Sequence, residues 1–205
     1  IVPMFHVMGW GIPWSALMLG CKQVLPHRYM DPARLVRLMA DEKVTLSAGV
    51  LTIWQGVKSV IEADPDAHDL SSLERLTCGG SAPPPSLIRW YWDALGVEMI
   101  QGWGMTETTG PVSVSRLSDR RKGALGTCGE LFQGISAQID GEELIVKGSQ
   151  IARGYVEPDG SLVPFNGSIK TGDRAAFDDR GRLKVYGKVS DRITTDNGMN
   201  YLPVP

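Results

Sequence analysis

The fold class is decided by residues 76–102, LTCGGSAPPPSLIRWYWDALGVEMIQG. A short β-rich run, 76–78, ends in two glycines. Prolines then open a segment whose apolar residues recur at helical spacing through Trp92, and a second β-rich run covers 97–100. This order predicts a strand, a helix and a second strand.

The same alternation extends toward the N-terminus. An aspartate followed by proline starts a predicted helix over 31–43, and 44–48 is a short β-rich run. Helical apolar spacing then returns from Ile53 to the break at Asp64. Because strands that alternate with helices favour a parallel sheet, we expect an α/β subdomain over residues 1–115.

The second part of the chain has a different sequence pattern. Short β segments separated by glycine turns occur at 143–146, 175–177 and 183–186. They predict a smaller, β-rich subdomain over 116–187. The polar run 187–198 fits an interdomain hinge and a surface loop equally well.

Composition excludes several classes of protein. The 205 residues include 21 basic and 23 acidic side chains, giving a net charge of −2 without long blocks of one sign, which argues against a protein that binds nucleic-acid backbones. The hydrophobic content of 42% excludes a disordered chain. Three widely separated cysteines indicate reduced thiols rather than disulfides or a zinc site, so we expect a cytoplasmic protein.

The first twenty residues are strongly apolar but do not fit a membrane span or a signal peptide. Pro3, His6 and Pro13 interrupt the run, and no basic residue precedes it. We expect a buried strand, a loop and a helix here. Since the chain starts inside this run without a methionine and stops with no terminal helix or strand in view, we also expect it to be the middle of a longer protein.

Two loops follow predicted strands, where α/β sheets collect their ligands. In the first, CGGSAPP at 78–84, two glycines and two small residues would let a flat ring lie against the backbone, although the same residues suit a tight turn into a helix. In the second, QGWGMTETTG at 101–110, Trp103 could cover a base, Thr106 could hold a phosphate and Glu107 could hold magnesium. Neither standard glycine-rich nucleotide fingerprint occurs in the chain.

Two further residues are weaker candidates. Asp173, in the Thr-Gly-Asp turn, could accept both hydroxyls of a ribose, although this tripeptide is also common in plain hairpins. His6, between aromatic residues, could line a pocket, although a lone histidine among apolar neighbours is more often part of a core.

Taken in order, these segments resemble the adenylate-forming superfamily, which includes acyl- and aryl-CoA synthetases, firefly luciferase and the adenylation domains of peptide synthetases. The sequences of these motifs are most similar to those of medium- and long-chain fatty acyl-CoA ligases. The matching motifs are PMFHVMGW at 3–10, SAGVLTIW at 47–54, GGSAPP at 79–84, QGWGMTET at 101–108, EELIVKGSQIARGY at 142–155 and NGSIKTGD at 166–173.

The resemblance implies the large N-terminal domain of such a synthetase and a two-step reaction. A carboxylic acid and ATP form an acyl-adenylate and pyrophosphate, and the acyl group then passes to CoA, with Mg2+ as the metal. The residues that would bind ATP or AMP are Gly80, Ser81, Ala82, Pro83, Gln101, Gly102, Trp103, Gly104, Met105, Thr106 and Asp173.

The resemblance also implies roles in catalysis and substrate binding. Thr106, Glu107 and Lys188 would be catalytic, and Glu107 would also bind the metal. The acyl pocket or the pantetheine tunnel would be lined by His6, Trp10, Val50, Thr52, Gly79 and Gly104. The implied partners are a small carboxylate, ATP and CoA, with no nucleic acid and no transmembrane segment, and the sequence leaves the oligomeric state open.

Three departures from the family pattern bear on activity. The upstream phosphate-binding loop and the C-terminal domain with its catalytic lysine are not in these residues, and 188–205 would be only the hinge and the start of that domain. Lys188 stands where the family has an arginine, and an ammonium cannot reproduce the bidentate fork of a guanidinium. We therefore expect the chain to be inactive alone. The alternatives are an adenylate-forming enzyme with another acceptor and a non-catalytic nucleotide-binding remnant.

Overall fold

The computed structural model describes residues 1–28, 30–115, 125–195 and 200–201. The chain divides into two compact units, and the division falls after Gly102, inside a strand. Unit 1 contains residues 1–102 and 125–126, and unit 2 contains 103–115 and the described residues from 127 onward. The domain bounds expected from the sequence stay a prediction.

Unit 1 is an α/β structure. Its three strands, β1, β2 and β3, pair in parallel in that order. No helix among the described residues has the length and apolar character needed to cross a membrane. The helices and strands are α1 (Val7–Trp10), α2 (Ile12–Met18), α3 (Pro32–Asp41), β1 (Leu46–Val50), α4 (Leu51–Ala63), β2 (Arg75–Gly79), α5 (Pro85–Leu95) and β3 (Glu98–Met105), the last of which continues into unit 2.

The alternation read from the sequence is confirmed, and so is the parallel sheet. The carboxylate of Asp31 accepts a hydrogen bond from the backbone N–H of Arg34 at 3.1 Å, so it caps α3 as expected. At its other end α5 stops at Gly96, which adopts a φ of +68° that favours glycine.

The core of unit 1 is built around two fully buried aromatic residues. The Tyr91 hydroxyl donates to the backbone oxygen of Trp54 at 2.7 Å, and the Trp54 indole donates to the backbone oxygen of Thr77 at 3.0 Å. Both polar atoms are thus satisfied inside an apolar core. These bonds join α5 to α4, and α4 to strand β2.

The expectation of a buried strand in the first twenty residues is wrong. The backbone N–H of His6 donates to the oxygen of Pro3 at 3.0 Å, which makes a turn, and the short helices α1 and α2 follow. The burial expected there is wrong as well, since Phe5 is 82% exposed and Met18 is 86% exposed. Apolar composition alone could not distinguish a strand from a turn and two helices, because the turn is set by backbone hydrogen bonds.

Unit 2 is mainly antiparallel β-structure. Its four-stranded sheet has the order β11-β10-β7-β6, and β8–β9 and β12–β13 form two-stranded antiparallel sheets. Strand β4 is the neighbour of β3 and pairs antiparallel with β5. The strands are β4 (Gly110–Val114), β5 (Glu130–Leu131), β6 (Ile135–Asp140), β7 (Glu143–Gly148), β8 (Gly154–Val156), β9 (Leu162–Pro164), β10 (Ser168–Phe177), β11 (Leu183–Lys188), β12 (Ile193–Thr194) and β13 (Asn200–Tyr201). Short 3₁₀ turns occupy Thr106–Thr108 and Val189–Asp191.

Gly129 lies at a crowded point of unit 2. Its backbone oxygen accepts from the N–H of Leu183 at 2.9 Å, and its φ is +76°. A Cβ added to Gly129 would lie 1.9 Å from the backbone oxygen of Val114. The close approach of β4 therefore requires glycine at this position.

The hairpin between β10 and β11 is organised by Asp178. Its Oδ1 accepts from the backbone N–H groups of Arg180 and Arg182, each at 2.9 Å, and its Oδ2 lies 2.7 Å from the guanidinium of Arg182. Both side chains of the ion pair are only 7% exposed. Hydrogen bonds from Arg182 lower the pKa of Asp178 to about 2.

Gly129→Ala is expected to destabilise the chain much more than Gly134→Ala. Both glycines have positive φ, but an added Cβ at Gly134 meets nothing within 4 Å. Gly134→Ala should cost about 1 kcal/mol for the backbone conformation, and Gly129→Ala about 2 kcal/mol more for the clash. Urea denaturation measures both, and equal losses would contradict the close approach at Gly129.

Asp178→Asn is expected to lower the free energy of unfolding at pH 7. Because the pKa of Asp178 is depressed in the folded chain, its stabilising effect is present above its ordinary pKa of about 4 and is lost as the pH falls toward about 2. The difference between the variant and the wild type should therefore shrink over that range in pH-dependent urea denaturation. A difference independent of pH would contradict this assignment.

Candidate functional site

The ends of the three parallel strands bring together several predicted site residues of unit 1. Val50 at the end of β1 is the register partner of Gly79 at the end of β2. Cys78, one residue earlier, is the partner of Gln101 in β3. Gln101 is buried, so its side chain belongs to the interior of this edge.

Of the Gly79-Gly80 pair, Gly80 has a backbone conformation that favours glycine, whereas a side chain at Gly79 would have to displace only the flexible end of Met8. A Cβ added at Gly79 would lie 2.7 Å from the sulfur of Met8, and Gly80 has a φ of +81°. A Cβ at Gly80 would lie 3.7 Å from a methyl group of Val50. Ser81 and Ala82 continue the run of small residues, and Pro83, which follows them, is buried. Met8 is a neighbour of this loop that the sequence analysis did not single out.

Two of the other predicted residues of unit 1, His6 and Trp10, have local partners. The Nδ1 of His6 accepts from the backbone N–H of Met8 at 3.2 Å, so His6 caps α1. The Trp10 indole donates to the backbone oxygen of Phe5 at 2.8 Å. Thr52 lies exposed in the first turn of α4. The roles of His6, Trp10 and Thr52 in substrate binding stay predictions.

Two other features of unit 1 bear on its chemistry. Burial raises the pKa of the Cys78 thiol to about 12, so this thiol stays protonated at neutral pH and is a poor nucleophile. A cavity of about 520 Å³ is lined by Val36, Ile61, His68 and Leu95 among others, and none of the predicted site residues lines it.

In unit 2 the loop after β3 is held by the buried hydroxyl of Thr108. This hydroxyl accepts from the backbone N–H of Met105 at 2.9 Å and lies 2.7 Å from the backbone oxygen of Gly110. A Cβ added at Gly104 would lie 2.2 Å from that same oxygen. Gly104 and Thr108 thus close the loop, with Thr106 exposed and Glu107 partly exposed on it.

Two of the predicted residues in unit 2 converge on the carboxylate of a third. The Trp103 indole donates to Oδ2 of Asp173 at 3.1 Å, and the ammonium of Lys188 lies 2.9 Å from Oδ1. Asp173 is only 7% exposed, whereas the Lys188 side chain is about half exposed. The ammonium also donates to the backbone oxygen of Thr171 at 3.2 Å. A buried carboxylate is therefore held by an indole and an ammonium.

The backbone under Asp173 is fixed by a second set of hydrogen bonds. The hydroxyl of Thr171 accepts from the N–H of Asp173 at 3.1 Å and donates to the backbone oxygen of Leu144 at 2.8 Å. A carboxylate oxygen of Glu143 accepts from the N–H of Gly172 at 2.9 Å. The Thr-Gly-Asp sequence, which could have been an ordinary turn, is here a bulged part of strand β10 that presents Asp173.

Glu107 has a side-chain partner that the sequence analysis missed. The hydroxyl of Tyr155 donates to Oε1 of Glu107 at 2.7 Å, and this hydrogen bond raises the pKa of the Tyr155 phenol. Tyr155 is the last residue of the EELIVKGSQIARGY motif, which was quoted without a role. The one available signal was the presence of a phenol in a motif of the resembled family.

Comparison with known proteins identifies similar chains. Residues 1–156 match the AMP-binding enzyme family. A long-chain-fatty-acid–CoA ligase of Thermus thermophilus is 37% identical, with 94% of this chain and 40% of the relative covered. A medium-chain-fatty-acid–CoA ligase of Ectopseudomonas oleovorans is 35% identical, with 94% and 39% covered. The chain thus spans about two-fifths of the length of these relatives.

A solved structure confirms the α/β fold with its parallel and antiparallel sheets. The o-succinylbenzoate coenzyme A synthetase of Bacillus subtilis, solved in complex with ATP and a magnesium ion, superposes with a TM-score of 0.79. It is 24% identical, and the alignment covers 98% of this chain and 43% of the synthetase. Because the family match covers residues 1–156 and agrees with this fold, the chain belongs to the AMP-binding enzyme family, as its resemblance to adenylate-forming enzymes predicted.

Proposed function

We propose that this chain supplies nucleotide- and metal-binding residues to an enzyme that activates a carboxylic acid with ATP and transfers the acyl group to CoA. The observation that carries the proposal is the convergence of Trp103 and Lys188 on the buried carboxylate of Asp173. Two of the relatives, a long-chain and a medium-chain fatty-acid–CoA ligase, favour a fatty acid as the carboxylate.

Asp173 has the chemistry needed to bind a ribose. An ionised carboxylate accepts about four hydrogen bonds, and Trp103 and Lys188 together use two. The remaining acceptor sites suit the 2′- and 3′-hydroxyls, which are donors. Because both oxygens are already oriented, little side-chain entropy is lost when the ribose binds.

Glu107 and Thr106 suit the phosphates and the metal. Among the described residues no group of three or more His, Cys, Asp or Glu side chains could hold a metal ion. Mg2+ is commonly bound by one or two carboxylates together with substrate phosphates, so Glu107 and a bound nucleotide would suit it. Glu107 would hold the cation, which neutralises phosphate charge, and the exposed hydroxyl of Thr106 would contact the α-phosphate.

The remaining roles follow from the family and stay proposals. The adenine would lie against the small residues of 79–83, which allow close approach of a flat ring. The acyl group would contact residues of unit 1 such as Val50 and Gly79.

The reaction itself would have two balanced steps. A carboxylate oxygen bonds to the α-phosphorus as pyrophosphate leaves, and the thiolate of CoA then bonds to the acyl carbon as AMP leaves. Both steps build negative charge, which positioned cations and donors stabilise. Lys188 supplies one positive charge near Asp173, half exposed to solvent.

Asp173→Asn is expected to abolish the preference for ribose hydroxyls. The wild-type chain should bind ATP about tenfold or more tightly than 2′,3′-dideoxy-ATP, because hydrogen bonds to a charged group contribute about 1.5–3 kcal/mol. In the variant the two affinities should become similar in calorimetric titration.

Asp159→Asn is the matched control, since Asp159 is an exposed turn carboxylate that accepts from the backbone N–H of Ser161. It should retain the wild-type preference for ATP. A wild-type chain that binds the two nucleotides equally would contradict the role of Asp173.

The 205-residue chain alone is expected not to release pyrophosphate steadily from ATP and a fatty acid, because it spans about two-fifths of its relatives. Placed between the flanking segments of the Thermus thermophilus ligase, it should form acyl-CoA from a fatty acid, ATP, Mg2+ and CoA. Glu107→Gln in the same chimera is the control, and circular dichroism checks that both fold.

Three results of this assay would change the proposal. Steady pyrophosphate release by the chain alone would contradict the need for further segments. An acyl-adenylate without acyl-CoA would favour another acceptor. A folded chimera that forms neither product would favour a non-catalytic nucleotide-binding protein.

A further inference from the structure

A segment of unit 2, residues 150–155, holds the loop that carries Glu107 and is called the brace below. The side-chain amide of Gln150 donates to the backbone oxygens of Thr108 at 2.9 Å and Pro111 at 3.2 Å. In return the hydroxyl of Thr109 donates to the backbone oxygen of Gln150 at 2.7 Å. These bonds fix one end of the brace against the loop.

The brace also reaches Glu107 itself, through backbone and side chain. The N–H of Ala152 donates to the backbone oxygen of Glu107 at 2.8 Å. Three residues later the hydroxyl of Tyr155 donates to Oε1 of the Glu107 side chain at 2.7 Å. The main chain and the carboxylate of Glu107 are thus held by the same short segment.

The ring of Tyr155 is itself held in place. It meets the ring of Phe165 edge to face, with 4.7 Å between the centroids and 90° between the planes. Tyr155 also lies in β8 as the register partner of Val163 in β9. The direction in which the hydroxyl points is therefore set by packing and strand pairing, although half of the residue is exposed.

We propose that Tyr155 is a positioning residue that fixes the carboxylate of Glu107 for a divalent cation, holding Oε1 and leaving Oε2 to the metal. This inference rests on the proposed function, in which Glu107 binds Mg2+. It assigns a role to the brace, which the proposed function does not use.

The chemistry of the phenol suits this role. A glutamate side chain has three rotatable bonds, and holding it before the metal arrives removes part of the entropy cost of binding. Because the phenol is a neutral donor, it orients the carboxylate without adding a positive charge that would oppose the cation. Hydrogen bonds of this kind around metal ligands typically change metal affinity by about 10–100-fold.

The test compares ATP binding with and without Mg2+ in calorimetric titrations of the wild-type chain, Tyr155→Phe, Glu107→Gln and the double variant. The phenylalanine keeps the ring and removes only the hydroxyl. Tyr155→Phe should weaken binding in the presence of Mg2+ about tenfold and leave metal-free binding unchanged. The double variant should match Glu107→Gln, because Tyr155 acts through that carboxylate.

Tyr186→Phe is the matched control, since the Tyr186 ring lies 5.5 Å from the guanidinium of Arg174 and the hydroxyl is not needed for that contact. It should bind ATP as the wild type does, with and without Mg2+.

Two results would overturn the positioning role while the proposed function stands. Tyr155→Phe could bind ATP as tightly as the wild type in the presence of Mg2+, or its ATP affinity could fall by the same factor with and without Mg2+. A wild-type chain whose ATP affinity does not depend on Mg2+ would overturn the metal role of Glu107 and the positioning role with it. That failure is visible in the wild type alone, so the two can be told apart.

Discussion

The candidate site of unit 2 depends on one buried carboxylate, that of Asp173, whose lost hydration is replaced by a positive charge and hydrogen bonds. Removing the Asp173 carboxylate from water costs several kcal/mol unless a charge and hydrogen bonds replace the solvent. Lys188 supplies the charge and Trp103 supplies a neutral donor, and they take one oxygen each. Because these residues come from β3, β10 and β11, the same carboxylate links three strands and holds the Trp103 indole.

The loop after β3 adds a second constraint, because the backbone at Gly104 lies very close to the backbone at Gly110. Gly104 can carry no side chain because the Gly110 oxygen occupies the space of a Cβ, and the buried hydroxyl of Thr108 bridges the same turn. On this closed loop Thr106 is exposed and Glu107 is partly exposed. The hydrogen bonds from residues 150–155 then hold this loop in place.

Much of the fold and the identity of the candidate residues could be predicted from the sequence. The aspartate that caps α3 and the alternation of strands with helices are local signals, and they were sufficient for the parallel sheet. The contacts of Tyr155 with Glu107 and of Lys188 with Asp173 could not be predicted, because each joins residues from different strands or loops. The structure of the apolar N-terminal run could not be predicted, since composition carries no information about the turn at Pro3.

The most direct test of the central claim is a calorimetric titration of the 205-residue chain with a non-hydrolysable acyl-adenylate mimic, with adenosine as the reference ligand. If the chain presents adenine, ribose and phosphate contacts together, the mimic should bind at least about tenfold more tightly than adenosine, since one hydrogen bond involving a charged group is worth about 1.5–3 kcal/mol. Equal binding of the two ligands, or binding of neither, would contradict the account.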